Sequence, residues 1–239
     1  MRKVSVIIPV YNRTETLKDA VESVLFQDYP NIEIIVVDDG SSVCLKNILK
    51  PYLNMLKLIR LENNSGVSRA RNEGIKAAIG DFIAFLDSDD VWLPFKISTQ
   101  LEAMDSESTK ACHTNEFWYK RDRFINQSKK HTRYGGDVFP HILDICRISD
   151  SSVLIAREVF DHAGMFDESM RVCEDYELFL RIAVLYNITY IEKKCIIKRS
   201  ISDDQLSSSI KHIESVRLEA LKRFAENTQN LSSHHQKAL

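Results

Sequence analysis

Through the first hundred residues, short β-branched apolar runs that stop at polar turns alternate with segments whose apolar residues recur every three or four positions. Residues 4–10 (VSVIIPV) suit a strand covered on both faces, as in a parallel sheet, with Pro9 marking its end. Asn12 precedes Glu15 by three positions, which reads as a capping box ahead of Leu17, Ala20, Val21, Val24 and Leu25 on one helix face. After the turn Asp28-Tyr29-Pro30-Asn31, residues 32–37 repeat the strand pattern and stop at Asp38-Asp39-Gly40-Ser41-Ser42. A short helix over 45–52, a strand over 56–61, a helix with Val67, Ala70, Gly74 and Ala78 on one face, and a strand over 82–86 complete the series. Strands alternating with helices of this length imply βαβ units, right-handed crossovers and a mostly parallel α/β sheet.

Beyond Lys110 the pattern loosens. A strand is expected over 111–119, a polar, basic and mobile loop over 120–134, and a strand over 150–156 running into a short helix over 157–162. A helix opens near Glu174 with Tyr176, Phe179, Leu180, Ala183 and Val184 on its apolar side, and a strand follows over 188–197. Residues 209–224 read as a C-terminal helix; 227–239, with His234 and His235, read as a frayed, solvated tail. The length of 239 residues fits one large domain or two halves sharing a cleft: 1–106 and 107–200, with 201–239 as helix and tail.

The charge balance excludes some partners. With 32 basic and 34 acidic side chains the chain carries no field to attract a polyanion, so no nucleic-acid partner is expected. Five scattered cysteines without a CxxC pair form neither a disulfide framework nor a thiolate metal site, which fits a reducing cytosol. No apolar run reaches the roughly 18–20 residues of a membrane span, so any membrane association would be peripheral. The expected location is cytoplasmic, the inner face of the membrane included.

In open parallel sheets, ligands bind beyond the carboxyl ends of strands. Three strand ends carry polar clusters: Tyr11-Asn12, Asp38-Asp39-Gly40-Ser41 and Asp87-Ser88-Asp89-Asp90. Each of the first two is explained equally well by turns and caps. The third places three carboxylates within four residues, which repel unless a cation or several donors neutralise them. A chain this rich in Asp holds roughly one D-x-D by chance, so position and companions carry the weight. Arg69 and Arg71 by themselves suit a solvated helix face paired with Glu73, and Trp92, Pro94 and Phe95 suit aromatic packing at a helix start. Glu174-Asp175 suits a helix N-terminus, where the macrodipole favours carboxylates.

Taken together, VSVIIPVYNR, VVDDGS, NNSGVSRARNEGI and FLDSDD closely resemble the nucleotide-binding half of the family-2 inverting glycosyltransferases. SSVLIAREVFDHAGMFDE and CEDYELFLRI resemble the acceptor half, and the six motifs run in order from Lys3 to Ser207. The resemblance implies the GT-A fold: a Rossmann-like, mostly parallel sheet flanked by helices, with a smaller adjoining acceptor-side sheet. It implies that Pro9, Tyr11 and Glu15 lie around the base and ribose, Asp39 bonds the base, Arg71 faces the nucleotide, Asp87 meets the ribose and Asp89 ligates a divalent metal, Mn²⁺ or Mg²⁺. Asp175 would be the general base that deprotonates the acceptor hydroxyl. The donor implied is a nucleotide sugar, a UDP-sugar in preference, and the acceptor a sugar or lipid-linked glycan of a polysaccharide or glycoconjugate pathway. One departure is visible: Ser202 stands where relatives often carry a histidine shortly before the DQLS segment, which leaves open whether a metal or diphosphate contact is lost or supplied by Lys198 or Arg199. Asp90 has no assigned role between helix cap and support for its neighbours. A catalytically silent nucleotide-sugar-binding module of the same fold is the alternative. A nucleotidyltransferase would need a Gly-rich, Lys-containing loop that PVYNRTET does not supply, and no sugar-cleft signal supports a glycosidase.

Overall fold

The computed structural model describes residues 1–120, 123–200, 213–228 and 231–239. Ser202 and the DQLS segment lie outside the described residues. Strands β1 (Val4–Val10), β2 (Ile32–Asp38), β3 (Lys57–Arg60) and β4 (Phe82–Phe85) form the parallel half of one sheet. Every residue of β1 is buried, which is why its run is apolar rather than alternating, except at Ser5, whose hydroxyl donates to Glu33. Pro9 is tolerated in this central strand for a local reason. Ile7 faces β4 and Val10 faces β2, so Pro9 faces the β4 side, where pairing has already ended at Ile7.

Helices α1 (Leu17–Leu25), α2 (Leu45–Ile48) and α3 (Val67–Ala77) connect these strands. Leu17, Ala20, Val21 and Val24 of α1 are buried, each large aliphatic contributing about 1.5–3 kcal/mol. Gly74 lets α3 lie directly on β1, since a Cβ there would sit 2.4 Å from Ile7 Cγ2. A Gly74→Ala change forces that contact apart.

Two short strands were not legible: β5 (Val91–Trp92) and β7 (Arg123–Ile125). With β6 (Ala111–Lys120), β8 (Val153–Ala156) and β9 (Ile188–Ser200) they extend the sheet in the order β3-β2-β1-β4-β8-β6-β9-β5, β7 pairing with β6. The acceptor-side strands are therefore continuous with the first four through the antiparallel β4–β8 pair. Trp92 belongs to β5, and helix α4 (Lys96–Glu107) begins after Phe95. Beneath β5 the buried Lys96 ammonium donates to Gln100 Oε1 at 2.6 Å and lies 3.9 Å from the Trp92 ring centre. Burial pulls its pKa down to about 7.

The segment expected as a mobile loop carries β7 and a 3₁₀ turn at Lys129–His131. The strand expected from residue 150 begins only at Val153, because Ser152 bonds back to the Ser149 carbonyl through both its amide and its hydroxyl. Helices α5 (Phe139–Ile142), α6 (Arg157–Ala163), α7 (Glu174–Leu185) and α8 (Ile213–Asn227) complete the acceptor side. The tail is not frayed throughout: α9 (Ser233–Ala238) sets the His235 ring 4.8 Å from Phe139 and its Nε2 3.2 Å from the Asp137 carboxylate, whereas His234 stays 70% exposed. Among the described residues no helix is long and apolar enough to cross a membrane.

Candidate active site

The cleft is built at the carboxyl ends of β1, β2 and β4. The expected capping box is absent, because the Asn12 side-chain Oδ1 accepts instead from the Ser42 amide at 2.8 Å and hydroxyl at 2.9 Å. The Asn12 amide donates to Ser41 Oγ, so the loops after β1 and β2 are stitched together, with Asn12 at φ 52°. Thr16 precedes α1, and its hydroxyl donates to the Ser88 carbonyl at 2.7 Å, tying the helix start to the loop after β4. Tyr11 is 47% exposed and Glu15 is exposed, whereas Pro9 is buried within β1.

Asp38 and Asp39 divide their roles. Asp38 accepts from the Ser41 amide and pairs with Arg60, holding the turn. Asp39 accepts the amides of Ser65 at 2.8 Å and Gly66 at 2.9 Å, at the head of α3. Burial raises its pKa and those two amides pull against the rise. Gly40, at φ 71°, passes so close to the 63–64 backbone that a Cβ would meet Asn63 C at 2.5 Å.

After β4 the three carboxylates diverge. Asp87 keeps 30% exposure and accepts from Arg71 at 2.9 Å. Asp89 pairs with Arg13 at 2.7 Å, and its pKa is raised by burial and by Asp87. Asp90 turns inward, accepting the Ser151 hydroxyl at 2.7 Å and the Arg199 amide at 2.9 Å. Burial, with Asp87 and Asp89 nearby, pushes it up to about 8. It caps no helix; it ties the loop after β4 to the 150–152 turn and to β9.

Arg71 does not lie on an open helix face. Its side chain is 4% exposed, and its guanidinium pairs with Asp87 at 2.9 Å, Asp150 at 2.7 Å and Glu174 at 2.7 Å, over the Phe166 ring. Burial works against its charge, and the carboxylates of Asp150, Asp87 and Glu174 outweigh burial and raise its pKa. Arg69 takes the solvated role instead, pairing with Glu73 and Glu168.

Glu174 and Asp175 open α7, Cys173 turning the chain at φ 59°. Burial and the adjacent Asp175 push Glu174 up to about 7 despite Arg71. Asp175, partly buried, accepts the Tyr176 amide at 2.7 Å, and burial raises its pKa also. Lys198 on β9 faces this group: burial disfavours its charge, but Glu116, Asp90, Asp87 and Asp175 together raise its pKa. The fold thus brings Asp87, Asp89, Arg71 and Asp175 within charge reach of one another, while Asp39 and Tyr11 follow the ends of β2 and β1. Sequence reasoning gave Asp150 and Ser151 no role of their own, since each meets its partner, Arg71 or Asp90, more than 60 positions away. Among the described residues no group of three His, Cys, Asp or Glu side chains is arranged to cage a metal by itself.

A curled α/β sheet flanked by helices, with carboxylates gathered at its strand ends, defines the GT-A class of fold. The chain belongs to glycosyltransferase family 2: residues 5–164 match the model of "Glycosyl transferase family 2". It is 36% identical over 189 residues to the Escherichia coli UDP-Glc:alpha-D-GlcNAc-diphosphoundecaprenol beta-1,3-glucosyltransferase WfaP, covering 76% of this chain and 70% of that protein. It is 31% identical to the putative teichuronic acid biosynthesis glycosyltransferase TuaG of Bacillus subtilis, covering 86% of this chain and 82% of the other. An uncharacterized glycosyltransferase of Rickettsia felis shares 38% identity over 80% of this chain, which spans only 32% of that longer relative. The crystal structure of S. aureus TarS 1-349 in complex with UDP-GlcNAc superimposes with a TM-score of 0.81 at 21% identity, covering 99% of this chain and 70% of TarS 1-349.

Proposed function

We propose that this chain transfers a sugar from a UDP-sugar to a hydroxyl of a glycan acceptor, lipid-linked and made at the cytosolic membrane face, with inversion at the anomeric carbon. The observation that carries the reading is Arg71. One guanidinium binds Asp87 of the donor loop and Glu174, the neighbour of Asp175, so nucleotide-side and base-side groups are held in a single ionic cluster. WfaP and the UDP-sugar complex of TarS support the donor class, and the diphosphoundecaprenol in WfaP's name supports a lipid-carried acceptor.

In this reading Tyr11 offers its exposed ring to the base, with Pro9 and Glu15 around base and ribose. Asp39 accepts from the base while held by the Ser65 and Gly66 amides, and Asp87 accepts from a ribose hydroxyl. Asp175 takes the acceptor's proton as that oxygen attacks opposite the departing diphosphate; its raised pKa brings it closer to the working pH of a base. Arg71 faces the nucleotide while holding Asp87 and Glu174 in position. Lys198 supplies positive charge beside Asp175 and Asp87 as the leaving group develops its own negative charge.

The residues fit a divalent metal. Asp89 is a hard oxygen donor whose ionised form is disfavoured by burial and by Asp87, a condition that a cation relieves. A metal that completes its shell with diphosphate oxygens needs only one or two protein carboxylates, which agrees with the lack of a three-ligand cage among the described residues. Bound there by Asp89, Mn²⁺ or Mg²⁺ would neutralise the diphosphate. The test is release of UDP from a panel of UDP-sugars and lipid-linked glycan acceptors with Mn²⁺ present. Asp175→Asn should cut turnover by about 10²–10⁴ while UDP binding persists. Unchanged turnover in both Asp175→Asn and Asp89→Asn would refute the mechanism.

A further inference from the structure

The hairpin formed by β6 and β7 projects from the acceptor side with a composition unlike the rest of the chain. Between residues 117 and 134 the sequence has six basic residues and one acidic one, Asp122, in a chain of net charge −2. All three β7 residues are exposed, and Phe124 is 60% exposed at the sheet's margin. Phe124 is not stray. Its ring lies 5.6 Å from Phe117 and 5.2 Å from Tyr119, edge to face, which makes an aromatic platform on one face of the hairpin. Lys194 Nζ sits 4.6 Å above the Phe117 ring; the exposed Lys120 and Arg123 alternate with Tyr119 and Phe124 and so lie on the hairpin's other face, as does the turn carrying the exposed Lys129 and Lys130, whose His131 ring lies 4.9 Å from Trp118.

An exposed aromatic cluster under one lysine, on a hairpin whose other face carries further exposed cations, matches one kind of surface in particular. Aromatic rings settle at the level of lipid headgroups, and lysine and arginine beside them meet anionic headgroups. We infer that the β6–β7 hairpin is a docking element for the surface of an anionic lipid bilayer. The hairpin is also fixed rigidly to the cleft. Glu116, on the same strand, accepts from Trp118 Nε1 and the Ser149 hydroxyl and pairs with the buried Arg133, while Lys198 feels its charge. Docking there would set the cleft beside the bilayer, where a lipid-carried acceptor resides; only this last clause rests on the proposed function.

The experiment is co-sedimentation of the full chain with vesicles of phosphatidylcholine alone, or of phosphatidylcholine and phosphatidylglycerol in equal parts, at low and high salt. The wild type should partition onto the anionic vesicles and leave them as salt rises. Lys129→Ser/Lys130→Ser should weaken partitioning about 30-fold, at about 1 kcal/mol for each lysine, and Phe124→Ser about tenfold. Circular dichroism and UDP binding are measured on each variant, since these exposed side chains lie away from the donor cleft and should leave both unchanged. Absence of anionic-vesicle binding, or equal binding by both variants and the wild type, overturns the inference. So does hairpin-dependent binding to a single-stranded oligonucleotide that is tighter than binding to vesicles. Loss of UDP binding by the wild type with vesicle binding intact would count against the glycosyltransferase reading and leave this one standing.

Discussion

Replacing Arg71 by methionine keeps most of the side chain's apolar stem and removes the cation that Asp87, Asp150 and Glu174 share at 2.7–2.9 Å. Removing one partner of a buried ion pair costs about 3–5 kcal/mol, against a total stability of about 5–15 kcal/mol. For a chain of this size each kcal/mol shifts Tm by about 2–4 °C, so a fall of roughly 6–20 °C is expected. The cost must depend on pH. Burial already holds Asp150 and Glu174 above the ordinary carboxylate range, Glu174 at about 7, and without Arg71 both rise further. The folded state then binds more protons than the unfolded state from about pH 4 upward, so stability falls as pH rises through that window. Thermal melts by circular dichroism at pH 6 and pH 8.5 should show the larger deficit at pH 8.5. Arg71→Lys should be intermediate, since one ammonium cannot reproduce the planar fork. A deficit below about 1 kcal/mol at pH 8.5, well under the range for a broken buried pair, would refute the reasoning; so would a deficit larger at pH 6.

Gly40→Ala adds a Cβ 2.5 Å from the Asn63 backbone at a φ of 71°, and should lose about 1–3 kcal/mol in denaturant titrations together with UDP affinity. Lys96→Met removes a buried ammonium whose pKa is depressed to about 7. Its charging cost is fully present below pH 7 and fades as pH rises toward its unfolded value, so the variant should equal or exceed the wild type by up to about 2 kcal/mol at pH 6, a margin that shrinks at pH 9. Asn12→Ala releases the Ser42 amide and hydroxyl and the left-handed turn that Asn favours, and should weaken UDP binding several-fold by calorimetry with a small change in Tm.

The donor half was legible because its signals are local. Strand runs, helix periodicity and turn residues act within a few positions of themselves, and β1 to β4 with α1 and α3 fall where those patterns put them. Asn12 failed as a helix cap because its side-chain Oδ1 is taken by Ser42, 30 positions on. Sequence spacing gave Arg71 a solvated face; only the packing of α7 and the 150–152 turn buries it among carboxylates. Asp150 and Lys198 are surrounded by charges from α7, the loop after β4 and, respectively, α3 and β6, and no local pattern encodes that. Strands β5 and β7, of two and three residues, are too short for a period-2 signal.

Calorimetric titration of UDP into the wild type and Asp89→Asn, each with and without Mn²⁺, tests the central claim most directly. The account predicts that Mn²⁺ tightens UDP binding to the wild type by tenfold or more, about 1.4 kcal/mol, and that Asp89→Asn loses this gain while keeping the metal-free affinity set by the Tyr11 and Asp39 side of the cleft. An undiminished metal gain in Asp89→Asn, or no UDP binding by the wild type under either condition, would contradict it.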